Sequence, residues 1–249
     1  MKKMILISGL LILLIAGFAP ILSAQGITKG QYAVSVNGGY SQPVAELYHR
    51  FKGTYNIDGA LNYGVSNRLT AEIRLVYGRF DKLSSNPSNL VRTTNNVLTT
   101  YTLPPGMKHY YRYVGLTPSM MINLITEGSI KPYILLGTGW YRYDWYRGAA
   151  TPYIRSYAPG NPLFQDWHWF TDAKGVKQVP YYAKHIDNYS WGLNGGLGLA
   201  IQAGSNMIFD VKARWEVVLA DIWPALFLGL EEVRPIQNLQ LTAGIRFIL

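Results

Sequence analysis

The chain has 249 residues, no cysteine, 15% charged residues and a formal net charge of +9. Disulfides therefore cannot stabilise it in an oxidising compartment, and no basic cluster typical of a nucleic-acid-binding groove is present. Beyond the N-terminal segment no apolar run reaches the roughly 18 residues that a transmembrane helix needs, which excludes a helical membrane protein.

The N-terminal segment has the composition of an export signal. Two lysines precede a long apolar run, which Gly17 and Pro20 interrupt before the small pair Ser23-Ala24. This order predicts a cleaved signal peptide over residues 1–24 and a mature part over 25–249. An uncleaved helical anchor is the alternative, since the run approaches the length needed to span a bilayer.

The mature part alternates apolar and polar residues with a period of two, which indicates strands rather than helices. Eight segments are predicted in chain order, at about 31–41, 55–63, 69–77, 109–124, 131–145, 189–202, 207–219 and 238–249. The fourth and fifth are less regular, and Pro118 and the stretch 137–139 are candidate bulge positions. Glycines on the polar face of the sixth would let side chains meet across a narrow lumen.

Charged residues recur on the polar face of two predicted strands. Glu72 and Arg74 lie on the third strand, and the seventh carries four in alternation: Asp210, Lys212, Arg214 and Glu216. An eight-stranded barrel leaves room only for side chains, so these residues require mutual pairing inside it. We predict a lumen charge network that acts as a structural plug, with ion conduction as the alternative.

The connections alternate between short and long. Short turns are predicted at 65–68, 126–130 and 203–206, and the longest connections at about 81–108 and 146–186. This alternation is typical of outer-membrane barrels, in which the long loops are extracellular. The sequence therefore predicts an all-β, eight-stranded antiparallel up-and-down transmembrane β-barrel. A soluble lipocalin-like barrel is disfavoured, because it gives no reason for 14% aromatic residues.

The final strand ends in Gly244-Ile245-Arg246-Phe247-Ile248-Leu249. In this ending and in its architecture the mature chain resembles the small outer-membrane β-barrel families, such as OmpX, OmpW and the OmpA transmembrane domain. The resemblance implies an outer-membrane location, contact with lipid and lipopolysaccharide, and Phe247 and Leu249 as a signal for the barrel-assembly machinery. Members commonly end on an aromatic residue, whereas here Phe247 stands two positions before the terminal Leu249.

Catalytic and metal-binding patterns are weak. None of the four histidines lies in the His-x-Ser-Asn arrangement that lipid A deacylases use, and the nearest approach to an acyl-transfer site is His185 with Asp187 and Ser190. No histidine pair shows ligand spacing, and cysteine is absent. We expect a protein that is not an enzyme and has no cofactor or metal.

The long connection at 146–186 is the most distinctive candidate binding surface. It mixes aromatic and basic residues, among which Arg147, Arg155, Trp167, His168, Trp169, Tyr181 and Tyr182 are the candidates for contact with a sugar, a lipid headgroup or a partner protein. The alternative is that these residues pack on themselves as a cap.

The leading function hypothesis is a structural or interaction protein whose loops meet surface ligands or partner proteins. The second is a narrow channel for small hydrophobic or ionic solutes, as a resemblance to OmpW implies. A subunit of an envelope secretion or uptake complex and a lipid-modifying enzyme are further alternatives.

Overall fold

A computed structural model describes residues 27–85, 88–92, 98–102, 108–148, 153–154, 170–171, 177–178, 184–219 and 235–249. The predicted signal peptide lies outside these ranges and stays a prediction. Within the described ranges, no helix has the length and hydrophobicity to cross a membrane.

Eight long strands form a closed barrel. They are β1 (Tyr32–Val44), β2 (Thr54–Gly64), β3 (Leu69–Phe80), β6 (His109–Asn123), β7 (Ile130–Arg147), β11 (Lys184–Gln202), β12 (Met207–Val218) and β13 (Ile236–Ile248). Each pairs antiparallel with its sequence neighbour among the eight, and β13 pairs with β1 to close the ring. The predicted eight-stranded, all-antiparallel barrel is confirmed by this pairing.

Short elements occupy three of the long connections. The helix α1 (Glu46–Arg50) follows β1, and a hairpin of β4 (Ser88–Arg92) and β5 (Leu98–Thr102) lies between β3 and β6. Between β7 and β11, β8 (Tyr153–Ile154), β9 (Phe170–Thr171) and β10 (Lys177–Gln178) form a small sheet. None of these elements is predicted by the sequence pattern.

The two ends of the barrel differ. At the short-turn end, brief turns join β2 to β3, β6 to β7 and β11 to β12, and β1 begins where β13 ends. At the long-loop end lie the connections 45–53, 81–108, 148–183 and 219–235. The alternation along each strand places apolar residues outside and polar residues inside, as the burial pattern of β12 shows with Phe209, Val211 and Trp215 exposed.

The predicted bulges are wrong. Pairing between β6 and β7 is interrupted only at Thr117 and Pro118, and Leu116↔Trp140 and Ser119↔Gly137 keep one continuous register on both sides. Proline lacks the N–H needed for the ladder, so it removes pairing locally without inserting a residue. Gly137 permits close approach here, because a Cβ on it would lie 2.5 Å from the Pro118 carbonyl oxygen.

Two strands extend beyond their predicted ends. Pairing between β7 and β11 continues to Arg147↔Lys184, which shortens the predicted loop 146–186 at both sides. Inward Tyr143 and Trp145 keep the alternation inside the barrel, whereas the outward residues change from apolar to charged at Arg142. The prediction for β7 follows the strand past this change and stops two residues short at 145, whereas the first five residues of β11, with His185 and Asp187 outward, resemble a loop in the sequence.

Candidate functional site: a charged lumen and a charged outer rim

The lumen holds a network of buried charges at the middle of the barrel. All six predicted residues lie there, and Asp58 on β2 and Arg246 on β13 join them. Four acids (Asp58, Glu72, Asp210, Glu216) thus meet four bases (Arg74, Lys212, Arg214, Arg246). The network is electrically balanced, which burial of so many charges requires.

Two ion pairs cross the lumen between opposite strands. In the ring order β3 lies four places from β12, on the far side of the barrel. Arg74 Nη2 donates to Glu216 Oε1, and Arg214 Nη2 donates to Glu72 Oε1 at 2.5 Å. Since β3 and β12 run in the same direction, Glu72-x-Arg74 faces Arg214-x-Glu216 with complementary order. That order is visible in the sequence and would have predicted the pairs.

The remaining members bind the network to other strands. Arg74 Nε donates to Thr117 Oγ1 at 3.1 Å, and its Nη1 donates to Gln240 Oε1 at 3.0 Å. Lys212 Nζ lies 3.9, 3.6 and 3.7 Å from carboxylate oxygens of Asp58, Glu72 and Asp210. All side chains of the eight charges are at most 5% exposed, so described residues fill the lumen at this level.

Apolar clusters lie on both sides of the charges. Toward the long-loop end, Leu47 and Phe51 from α1 and its C-terminal cap pack with nine barrel residues, which are Val76, Phe80, Tyr111, Tyr113, Tyr141, Tyr143, Trp145, Val218 and Ile236. Toward the short-turn end a second cluster contains Met121, Tyr133 and Ile208. The charges are therefore enclosed between two apolar layers.

Lumen tyrosines pack over glycines that lie directly opposite on the adjacent strand. Gly78 pairs with Tyr113, Gly115 with Tyr141 and Gly198 with Tyr133. A Cβ on Gly198 would lie 2.2 Å from Tyr133 Cζ, and the hydroxyl of that ring donates to Asp210 Oδ1 at 2.7 Å. The inward glycines make room for rings inside a narrow barrel, as the sequence predicts for β11.

A second charged cluster lies outside the barrel, at the long-loop end of β6, β7 and β11. Arg112 Nη2 donates to Asp144 Oδ2, and His185 Nε2 lies 2.5 Å from Asp144 Oδ1. Arg142 binds Asp187 through two nitrogens, with Nε to Oδ1 at 3.0 Å and Nη2 to Oδ2 at 2.5 Å. The two arginines and the two aspartates border a depression of about 230 Å³ that Tyr77 and Val114 also line. Sequence reasoning missed this cluster.

The candidate acyl-transfer residues do not form a triad. His185 contacts Asp144 rather than Asp187, whose carboxylate binds Arg142. Ser190 lies on the opposite face of β11 from both, and its hydroxyl donates to the carbonyl of Leu219 at 2.8 Å. Among the described residues, no group of histidines and acids has the arrangement of a metal site.

The predicted loop surface falls largely outside the described residues. Arg147 is the last residue of β7, while Arg155, Trp167, His168, Trp169, Tyr181 and Tyr182 lie beyond the described ranges. The two residues of the predicted assembly signal, Phe247 and Leu249, are both exposed on the outer face at the end of β13.

Comparison with known proteins gives similarity to solved structures alone: no protein-family model and no curated protein sequence matches the chain. Neisserial surface protein A is 13% identical and the match covers 87% of this chain and 96% of that one, with a TM-score of 0.48. The outer membrane protein OprG from Pseudomonas aeruginosa is 10% identical, with 90% and 98% covered and a TM-score of 0.47. A major outer membrane protein from Thermus thermophilus is 10% identical, with 88% and 99% covered and a TM-score of 0.48. Such similarity concerns the fold, which the chain's own strand pairing establishes.

Proposed function

We propose that this chain is an integral outer-membrane protein whose barrel does not conduct and whose long loops meet surface ligands or partner proteins. The observation that carries the proposal is the balanced charge network enclosed between two apolar clusters. We propose that lipid surrounds the barrel, because all eight barrel strands expose apolar side chains on the outer face. Leu197, for example, is 62% exposed and Leu241 is 60% exposed. A water-soluble protein rarely exposes an apolar surface of that extent.

The lumen supports anchoring rather than transport. A conducting path would hydrate the charges that line it, yet the side chains of Arg74, Glu72 and Glu216 are fully buried. Arg74 alone has partners on four strands, through Asp58, Thr117, Gln240 and Glu216. Opening a passage would break these contacts and leave buried charges unpaired, which costs several kcal/mol for each ion by the usual magnitude.

Conductance in planar bilayers tests this part of the proposal. The refolded full chain should give no single-channel steps, whereas a general porin refolded in the same detergent should give them. The double variant Arg74→Ala/Glu216→Ala removes one cross-lumen ion pair and leaves both apolar clusters in place, so we expect it to give no steps either. Stable steps from the parent chain, abolished by that double variant, would show a channel instead.

The position of the loops is tested on intact cells. If the long-loop end faces the medium, external protease should cleave between residues 149 and 182 without breaking the cells. The turns at the other end, around Arg68 and Gly204, should be cut only after lysis. Cleavage in the reverse order would contradict the proposed orientation.

A further inference from the structure

The outer wall of the barrel has two unlike halves. Along β12, β13, β1 and β2, every outward residue within the strands is uncharged. Along β3, β6, β7 and β11, six outward residues at the long-loop end are ionisable: Arg79, Arg112, Arg142, Asp144, His185 and Asp187. Charge on the outer wall is thus confined to one half of the circumference and to one end.

Guanidinium groups form the outermost layer of this cluster. The side chain of Asp144 is 7% exposed, whereas that of Arg112 above it is 47% exposed and that of Arg142 is 59% exposed. Toward the other described residues, Arg112 uses Nη2 alone and Arg142 uses Nε and Nη2. As far as the described ranges go, donors remain on both arginines to bind an anion from outside the barrel.

Two of the arginines are placed in a way that favours an anion between them. Arg79 on β3 and Arg112 on β6 are direct cross-strand partners on the outer face. Like charges in that position destabilise a sheet, and each has a partner of its own, since Arg112 donates to Asp144 and the Arg79 guanidinium lies 4.9 Å over the Tyr110 ring. An anion between the two arginines would add to this compensation. Asp81 lies 3.4 Å from Arg79, yet both side chains are about half exposed, so the surrounding medium weakens that pair.

The level of the cluster along the barrel indicates the source of the anion. Four exposed aromatic residues lie one or two outward positions closer to the middle of the barrel than the charged residues of the same strands: Tyr77, Trp140, Tyr189 and Trp191. The rings of the two tryptophans lie 5.0 Å apart. Exposed tyrosine and tryptophan mark the edge of the hydrocarbon layer. The arginines therefore lie just beyond that edge, at the level of lipid headgroups.

We propose that Arg79, Arg112 and Arg142 bind the phosphate group of an outer-leaflet lipid headgroup. Guanidinium groups bind phosphate through paired charge-assisted hydrogen bonds. The adjacent depression of about 230 Å³ is several times the ~30 Å³ that a water molecule occupies, so a phosphate fits. The site rests on the barrel being embedded in lipid and is independent of whether the lumen conducts.

Native mass spectrometry of the full chain in detergent tests the site, with diphosphorylated lipid A and phosphatidylglycerol as separate probes. The parent chain should retain at least one of the two lipids. Arg79→Gln/Arg112→Gln/Arg142→Gln should reduce that retention about tenfold, since three cations are lost. Loss of lipid A alone would identify lipid A as the source of the phosphate, and loss of phosphatidylglycerol alone would identify a glycerophospholipid.

Two controls separate the site from general effects. Arg68→Gln removes an exposed arginine in a turn at the opposite end and should leave retention unchanged. The parent chain should retain dephosphorylated lipid A no better than the triple glutamine variant retains intact lipid A. Because the parent chain is unaltered in this control, the result does not depend on whether a variant folds. Equal retention of both lipids by parent and triple variant would overturn the proposal. If lipid A is the lipid that the triple variant loses, equal retention of lipid A by the parent before and after dephosphorylation would overturn it as well.

Discussion

Arg214 shows why the buried charges depend on one another. It donates to Glu72 at 2.5 Å from the opposite strand, and its side chain is 1% exposed. Glu72 also lies 3.6 Å from Lys212, so both of its partners belong to β12. Removing Arg214 takes the nearer cation from Glu72 and leaves the buried network with one acid in excess, which is more costly than removing the whole pair.

We expect Arg214→Leu to lower the free energy of unfolding by on the order of 3 kcal/mol. Urea unfolding of the refolded chain, followed by tryptophan fluorescence, measures the change. Arg68→Leu is the matched control, because it removes the same charge from an exposed turn and should change stability by less than about 0.5 kcal/mol. Equal midpoints for Arg214→Leu and the parent would contradict the role of the lumen network.

The contact between Gly198 and Tyr133 gives a second test at the same scale. A methyl group at residue 198 would collide with the ring and move its hydroxyl away from Asp210. We expect Gly198→Ala to cost about 2 kcal/mol, in the range for overpacking of a core. Gly38→Ala is the control, since a Cβ there would meet no atom within 4 Å, and the same unfolding experiment should find it neutral.

Among the elements, α1 and the residue after it close the long-loop end. Phe51 packs against Phe80, His109 and Trp145, with ring centroids 6.2, 5.3 and 5.9 Å away. The backbone secures this contact, because Lys52 N donates to the Lys82 carbonyl at 2.8 Å. The connection between β1 and β2 is thereby held inside the mouth of the barrel.

Phe51→Ala should lower the free energy of unfolding by about 3 kcal/mol, the magnitude typical of a large-to-small change in a core. Tyr48→Ala, in α1 three residues earlier and largely exposed, should have little effect. Thermal unfolding followed by near-ultraviolet circular dichroism reports both, since the cluster is aromatic. Similar midpoints for the two variants would show that the helix does not cap the lumen.

The alternation of apolar and polar residues predicted the strands and predicted that the charged residues point into the lumen. This signal is strong because an apolar outer face and paired polar groups inside require a different residue type at every second position. It did not predict α1, whose helix is short and lies where the sequence has no such pattern. The ends of β7 and β11 were missed for a different reason. The first five residues of β11 carry His185 and Asp187 outward, so a continuing strand has the composition of a loop there. The prediction for β7 includes Arg142 and Asp144 and stops two residues short, at 145. The outer-wall cluster was missed with them.

At the scale of the whole molecule, the barrel should fold without its longest connection. Arg147 and Lys184 are direct partners at the ends of β7 and β11, so a tight hairpin can join the strands. We expect replacement of residues 149–182 by Asn-Gly to leave the free energy of unfolding in urea within about 0.5 kcal/mol of the parent value. A chain that no longer folds, judged by identical gel migration before and after boiling, would show that the connection contributes to the barrel itself.

The cross-lumen ion pairs have a consequence for biogenesis. Arg74 and Glu216 are 142 residues apart, as are Glu72 and Arg214. When only the first strands have been inserted, Glu72 lacks both of its cations, Lys212 and Arg214, because they lie on β12. An unclosed sheet also has two edges with unpaired backbone N–H and C=O groups, which hydrocarbon does not tolerate. In the proposed bilayer, closure of the sheet and neutralisation of the interior are therefore completed together, once β12 supplies its cations and β13 pairs with β1. We expect no stable half-inserted form.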